Sequence, residues 1–336
     1  MSNRQITIAI DAMGGENSPY KILKGAEIFS IKHPQVFLKL FGKKTIILKS
    51  IKNQNINLKN FEIENCEDNV LDDDNANKIL RSRKNSSIFK GLNFVKKTED
   101  SGFVSAGNTA ALMILSRLIL GMIEGVDRPA ICSTIPNKKS YSLMMDLGAN
   151  VYVNADNLLQ FALMGYSYFS IIDSKRNPKI GLINIGTENN KGLEFLQDAH
   201  NLISKSILKD NFIGFIEPNK ITHGFCDILI SDGYTGNILL KTAEGLSDFI
   251  TSNLREVFLS SFKNKIAYKI LKKDLKVFKN KIDPDEYNGA TLLGINGISI
   301  KSHGSASPYA FFCAINKCYE FILNDLNKKI VENFKT

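Results

Sequence analysis

Three times in this chain a short apolar run ends in a turn of glycine, asparagine and threonine, then continues with helical spacing. The fullest case is Ile228-Leu229-Ile230, followed by Ser231-Asp232-Gly233-Tyr234-Thr235-Gly236-Asn237 and a helical pattern from Ile238 to Ile250. Phe103-Val104-Ser105-Ala106-Gly107-Asn108-Thr109 leads into 110–120 in the same way. Ile180-Gly181-Leu182-Ile183-Asn184-Ile185-Gly186-Thr187-Glu188 leads into a segment opening at Lys191-Gly192. Short apolar runs bounded by turns read as buried strands. A glycine turn that feeds a helix start presents N–H groups at the positive end of the helix dipole, a place to hold an anion. Each turn alone is also what an ordinary strand-to-helix loop with a cap looks like. Their recurrence favours one polar site along the carboxyl ends of a parallel sheet.

The rest of the chain repeats this alternation. Strand-like runs stand at 6–10, 36–41, 61–65, 102–105, 130–134, 142–146, 179–184, 212–216, 227–231 and 297–301. Helical patterns fall at 19–32, 86–98, 108–122, 155–172, 190–207, 237–260 and 306–332. This predicts an α/β fold with a doubly wound, mostly parallel sheet in an α/β/α sandwich. A length of 336 residues allows one large domain or two smaller ones. No linker composition divides it; the polar stretch 53–60 is too short.

A hydrophobic content of 43% supplies a sizeable core. No apolar run reaches membrane-spanning length, and residues 6–10 read as a strand where a signal peptide would be apolar and helical. The five cysteines are scattered and form no Cys-x-x-Cys pair, which suits reduced thiols and not a disulfide frame or zinc site. The four histidines lack metal-ligand spacing. The run Asp72-Asp73-Asp74 reads as a solvated turn or helix start, since partners at ligand spacing are missing.

The net charge of +9 is concentrated: residues 255–281 hold nine basic residues against two acidic ones. The charge is nearly all lysine and no nucleic-acid motif accompanies it, so nucleic acid is not the expected partner. Within the segment Phe262, Ile266, Ile270, Leu271, Leu275, Phe278 and Ile282 recur at helical steps with lysines between them. This predicts a basic amphipathic protrusion over 255–285, one helix or two short ones. It either packs on the body or a partner subunit, or lies on an anionic membrane through Phe262, Ile266 and Ile270 with Lys272 and Lys273 at the headgroups.

There is no Gly-x-Gly-x-x-Gly after the first strand, no P-loop and no Gly-x-Ser-x-Gly elbow. A site rich in Gly, Asn, Thr and Lys and poor in activated nucleophiles suits one class of chemistry. If phosphate itself attacks an acyl group, the protein has only to hold an anion, orient it and stabilise a tetrahedral oxyanion. A thioester donor releases a thiolate with little acid help, since thiols titrate near about 8.5.

The motifs together resemble one family. They are Ile10-Asp11-Ala12-Met13-Gly14-Gly15 with Pro19, Ser105-Ala106-Gly107-Asn108-Thr109, Asp127-Arg128-Pro129-Ala130 and Asp146-Leu147-Gly148-Ala149-Asn150. Next come Asn184-Ile185-Gly186-Thr187-Glu188 with Lys191-Gly192, and Ser231 to Asn237. Gly289-Ala290-Thr291-Leu292-Leu293-Gly294 and Ile300-Lys301-Ser302-His303-Gly304-Ser305 complete the set. In this order they resemble the bacterial phosphate acyltransferase (PlsX) family of phospholipid synthesis, over residues 6 to about 320.

That resemblance implies a single acyltransferase domain over 1–336, related to the isocitrate dehydrogenase and phosphotransacetylase folds and forming homodimers. It implies transfer of a long-chain fatty acyl group from acyl carrier protein to inorganic phosphate, with no cofactor and no metal. It implies Lys191 and Asn237 as catalytic residues. Substrate contacts are expected from Gly14, Gly15, Asn108, Thr109, Gly186, Thr187, Asp232, Thr235, Gly236, His303 and Ser305. His303 either donates to phosphate or thiolate, or braces its loop. The implied setting is cytoplasmic, on the inner face of the membrane, with a functional link to a membrane glycerol-3-phosphate acyltransferase. A phosphotransacetylase acting on short acyl-CoA and a non-catalytic membrane scaffold are the alternatives. Two departures from the family pattern bear on loop geometry: Glu16 stands where Asp is usual, and Ala110 stands where Gly is usual, which matters if that position needs positive φ.

Overall fold

Alternation along the strands decides the layers. Ile8 and Ile10 enter one core while Ala9 enters another, and Val104 and Phe103 divide in the same way. That is the period-two signature of strands buried on both faces. The computed structural model describes residues 4–68, 70, 74, 79, 82–174, 177–282 and 288–335. Its strands are β1 (Thr7–Asp11), β2 (Phe37–Gly42), β3 (Phe61–Asn65), β4 (Ser101–Ser105), β5 (Ala130–Pro136) and β6 (Tyr141–Met145). They continue with β7 (Ile180–Ile183), β8 (Phe212–Ile216), β9 (Ile228–Ile230), β10 (Ala290–Leu293) and β11 (Ile298–Lys301).

The helices are α1 (Tyr20–Lys32), α2 (Lys44–Asn53), α3 (Ser87–Lys97), α4 (Thr109–Leu120) and α5 (Ala155–Ile172). After them come α6 (Glu194–Lys205), α7 (Gly233–Leu259), α8 (Phe262–Ile282), α9 (Pro308–Leu323) and α10 (Leu326–Phe334), with a short 3₁₀ helix at Pro218–His223.

All strands join one sheet in the order β3-β2-β1-β4-β11-β10-β5-β6-β9-β7-β8. The set β3-β2-β1-β4-β11 is parallel, and so is the set β6-β9-β7-β8. Between them β10 and β5 pair antiparallel on both sides. The mostly parallel α/β/α architecture therefore holds. Three antiparallel pairings in succession reverse the polarity, so the two parallel sets run in opposite senses. The single row of carboxyl ends expected from the sequence is in fact two.

One face of the sheet carries a continuous core. It takes Phe29 of α1, Phe161 of α5, Ala199 of α6, Phe311 of α9 and Ile330 of α10 against β1, β5, β6, β9 and β11. The opposite face carries two separate cores. Leu92 of α3 and Leu115 of α4 cover Ala9 and Phe103, while Ile221 and the start of α7 cover Met144, Ile183 and Leu229. Among the described residues Ile131 of β5 packs on both. The covering layer on this face is thus split over the reversal in strand polarity, and this split is called the cleft.

The basic segment is one 21-residue helix, α8, joined to α7 through Ser260-Ser261 and packed on it as a hairpin. Beyond Gly233 and Gly236, no residue of α7 is buried. Phe262 is 79% and Ile270 75% exposed. Among the described residues no helix is long and apolar enough to cross a membrane. Asp72 and Asp73 lie outside the described residues. Asp74 is not solvated: it is buried and bridged by Arg83 Nε at 2.8 Å.

Candidate active site

The expected site residues fall into two groups, one on each side of the cleft. The first is built on Asp11, at the end of β1. Ser105 Oγ donates to Asp11 Oδ2 at 2.7 Å, and Gly107 N donates to Ser105 Oγ at 3.0 Å. Burial pushes the Asp11 carboxyl above its ordinary range, opposed by hydrogen bonds from Ser105, Ser87 and the Met13 and Gly14 amides. Gly14 fits here because a Cβ would meet Gly107 N at 2.4 Å. Gly15, at φ +84°, lies against Gly304 O, which also accepts from Glu16 N at 2.8 Å. The glycines of the first loop are thus there for close approach of three turns.

Asn108 caps α4 by accepting from Ala111 N at 2.9 Å. Thr109 and Ala110 occupy the first turn, where a helix provides no acceptor for their N–H groups. Ala110 is helical, and its φ is not positive, so the departure from glycine carries no strain. His303 is exposed, and its Nδ1 accepts from Ser305 N at 3.3 Å and meets Ser305 Oγ at 2.8 Å. The amide donor assigns the proton of the neutral ring to Nε2. His303 N is itself held by Asn288 Oδ1 at 3.0 Å.

The second group is built on Asp146, after β6. Its Oδ1 accepts from Ile131 N (3.0 Å), Gly148 N (3.2 Å) and Ala149 N (2.9 Å). Its Oδ2 accepts from Asn150 N (2.7 Å) and Asn150 Nδ2 (2.8 Å). Burial raises this carboxyl, and the N–H donors oppose the shift. The loop they hold is the bed for α7: Gly233 N donates to Asn150 O at 2.8 Å.

Asp232 is the N-cap of α7. It accepts from Thr235 N at 2.8 Å and Thr235 Oγ1 at 2.7 Å. Asp232 and Thr235 therefore engage each other, and with Gly233 N also taken the start of α7 is a poorer anion cradle than its sequence suggests. Asn237 lies one turn further, exposed, with its side chain beside Gly148.

Lys191 reaches the same edge from β7. Asn184 is buried; its Oδ1 accepts from Ile185 N at 2.8 Å and its Nδ2 donates to Lys191 O at 3.0 Å. It closes the loop 185–191 at both ends. Gly192, at φ +84°, passes so near Asn184 that a Cβ would sit 2.0 Å from its Oδ1. The Lys191 stem lies along Gly186, Thr187 is exposed, and the ammonium side chain is exposed. Leu182 of β7 pairs with Ile230 of β9, so the Lys191 loop and the Asn237 turn leave adjacent strands at the same level. Asp146 follows the strand on the other side of β9.

Side-chain alternation puts the first anchor on the divided face: Asp11 and Ser105 follow the parity of Ala9 and Phe103. On the other side Ser231 follows the parity of Leu229, and Asp146 is placed by its hydrogen bonds to Ile131 and the 148–150 loop. The structure therefore brings Gly186, Thr187, Lys191, Asp232, Thr235, Gly236 and Asn237 together. It gathers Gly14, Gly15, Asn108, Thr109, His303 and Ser305 separately, with β10 and β5 between the two groups.

Asp146 and Asn184 are positioning residues that the motif reading quoted but did not assign; a polar residue directly after a strand and before a glycine was the available signal. Cysteine is poorly placed as a nucleophile. Cys66, Cys132 and Cys226 are buried and their thiols pushed up to about 12. Among the described residues no group of three His, Cys, Asp or Glu side chains is arranged to hold a metal.

A family model described as "Fatty acid synthesis protein" matches residues 6–329. A phosphate acyltransferase from Clostridium tetani is 38% identical, over 96% of this chain and 98% of its own. The chain belongs to the phosphate acyltransferase family. A member from Neorickettsia sennetsu is 36% identical over 99% of this chain and 98% of its own length. Among solved structures, a phosphotransacetylase from Streptococcus pyogenes aligns with a TM-score of 0.64 at 14% identity, covering 95% of this chain and 94% of its own. The EutD phosphotransacetylase from Staphylococcus aureus gives 0.61 at 14%, covering 96% and 95%. At that identity the likeness is one of fold. The chain thus shares its mostly parallel α/β fold with phosphotransacetylases.

Proposed function

We propose that the protein transfers a long-chain acyl group from the thioester of acyl carrier protein to inorganic phosphate, and that Lys191 and Asn237 act in the transfer. The observation that carries this reading is the pairing of Leu182 with Ile230, which sets the Lys191 loop beside the Asn237 turn. A phosphate oxygen attacks the thioester carbonyl carbon. The carbonyl electrons move to oxygen, then return to expel the thiolate, giving acyl phosphate. Lys191 offsets the charge of the attacking phosphate. Asn237 donates from its amide to the oxyanion. The first turn of α4 and Nε2 of His303 offer further donors across the cleft, for the phosphate or the departing sulfur. Neither carboxylate anchor takes part directly: Asp11 and Asp146 hold the loops.

Family membership supports acyl transfer to phosphate, and the net charge of +9 suits an acidic carrier as donor. The test follows phosphate-dependent loss of long-chain acyl carrier protein, with appearance of acyl phosphate. Turnover confined to short acyl-CoA would overturn the donor assignment.

The α7–α8 hairpin supports two further parts of the proposal. Phe249, Val257 and Leu259 are each more than half exposed, an apolar stretch of the kind that marks an interaction surface. A second copy of the chain covers it, making a homodimer. The tip around Phe262, with Ile266 and the α8 lysines behind it, rests on the cytoplasmic leaflet. There the acyl phosphate passes to a membrane-bound glycerol-3-phosphate acyltransferase without crossing water.

A further inference from the structure

A second basic surface lies far from α8 in the chain. Between α3 and the β2–β3 edge runs a groove of about 290 Å³. Its floor is Phe41, Phe89 and Phe94, and its rim carries Lys84, Lys90 and Lys97. Lys39 closes one side. It lies over the Phe94 ring at 5.2 Å and is bridged by Glu62 at 3.1 Å and Glu64 at 3.7 Å. Among the described residues those glutamates pair with Lys39. Lys90 donates to a neutral acceptor, Asn65 O, at 2.8 Å. Lys84 and Lys97 are exposed. Phe89, Lys90, Phe94 and Lys97 follow one face of α3 over about 12 Å. The groove therefore fits an acidic helical surface of about two turns, with apolar contact at its centre and charge at its rim.

Its position ties it to the cleft. The first residue of α3, Ser87, hydrogen-bonds the Asp11 carboxylate. That carboxylate also holds Ser105, on the turn that starts α4. Lys84 and Lys90 each stand three residues from Ser87. Phe41, Phe89 and Phe94 all pack on the core of the divided face. The groove thus opens on the cleft side of the sheet, within about one helical turn of the Asp11 network.

We propose that this groove is the docking surface for the acidic carrier protein that brings the acyl thioester, the acyl arm passing over the starts of α3 and α4 into the cleft. This rests on the carrier-dependent reading above. Charge complementarity argues for it: among the described residues lining the groove, three lysines stand at the rim, and the acidic one, Glu64, is engaged by Lys39. A like-charged or neutral donor gains nothing from such a rim.

The test compares two donors on the full-length protein: long-chain acyl carrier protein, and the same acyl group on pantetheine alone. In Lys84→Glu/Lys97→Glu the KM for the carrier-borne donor should rise about tenfold or more and lose much of its salt dependence. The kcat, the KM for acyl-pantetheine and the melting temperature should stay as in the wild type. The neutral variant Lys84→Gln/Lys97→Gln should fall between. An unchanged carrier KM, in a protein that does use the carrier, overturns the docking assignment and leaves the reaction standing. An equal loss with both donors overturns it too, because the groove would then act through the fold. Loss of sedimentation with phosphatidylglycerol vesicles, at unchanged carrier KM, would give the lysines to lipid instead. Wild-type turnover of acyl-pantetheine but not of the carrier overturns the carrier reading itself, and the docking surface with it.

Discussion

The main-chain carbonyl of Asp146 lies 1.9 Å from the place a Cβ on Gly236 would occupy. The first turn of α7 therefore rests directly on the peptide that precedes the Leu147–Asn150 loop, and a glycine is what allows it. Gly236→Ala must push α7 away from Asp146. Overpacking of this kind costs about 1–3 kcal/mol. It should also lower activity, since Asn237 is the next residue. Gly245→Ala is the matched control: it sits within α7 with no atom within 4 Å of its added methyl. That variant should gain about 0.5–1 kcal/mol from the loss of backbone freedom in the unfolded chain. Urea denaturation of the pair checks both signs.

Removing the side chains at the edge of β7 and β9 should separate chemistry from folding. Lys191→Ala and Asn237→Ala each leave a well-anchored loop, since the Asn184 and Asp146 hydrogen bonds are untouched. Loss of one oxyanion donor lowers kcat by about 100- to 1000-fold. Both variants should melt like the wild type. Near-normal turnover in both would remove these residues from the mechanism.

The ammonium of Lys317, on α9, gives the fold a dependence on alkaline pH. Lys317 is half-buried, its ammonium donates to Gly289 O at 2.8 Å, and desolvation lowers its pKa from the ordinary 10.5 to about 8. Between those values the unfolded chain keeps a proton that the native state has lost. Unfolding then takes up a proton, so this group adds stability as pH rises from about 8 to 10.5. Lys317→Met lacks that contribution. The stability difference, wild type minus variant, should move in favour of the wild type across this window. A flat difference would mean that the ammonium titrates as it does in water.

The hairpin makes a prediction about place as well as affinity. Phe262 and Ile266 stand at or near the tip, whereas Lys272 and Lys273 lie about 15 Å back along α8. Ile266→Glu should weaken sedimentation with anionic vesicles more than charge reversal at Lys272 and Lys273. Each lysine near an anionic surface contributes only about 1 kcal/mol. Turnover of soluble substrate should survive both changes. If wild-type protein stays in the supernatant at low salt, the apolar side of α8 belongs to subunit packing.

Much of the architecture was legible because strongly apolar strands punctuated by glycine leave a plain pattern. The losses have local causes. β10 escaped notice because four residues between Gly289 and Gly294 look like a turn. α2 buries only Ile47 and so lacks an apolar stripe. The expected helix 306–332 is two, since Asp325 adopts φ +53° between them. α7 begins at Gly233 and not at Asn237, because Asp232 turns its carboxylate onto Thr235. Strand polarity was the one global feature missed. Apolar runs mark where strands lie, but their direction depends on which neighbours they pair with, and β10 was the strand that reverses it. For the site, the turns were visible, while their partition across the cleft followed from that same reversal. The roles of Lys191 and Asn237 came from family resemblance; neither residue type signals chemistry alone.

The unequal division of the cores has a mechanical meaning. A slab with an unbroken layer on one side and a split layer on the other bends easily in one direction only. Flexing that narrows the split moves the α3–α4 block toward the α7 block and displaces solvent, while the layer holding Phe161 and Phe311 keeps its contacts. Flexing the other way would pull that layer apart. Any motion that closes the split has to turn about β10 and β5, where Ile131 packs on both cores.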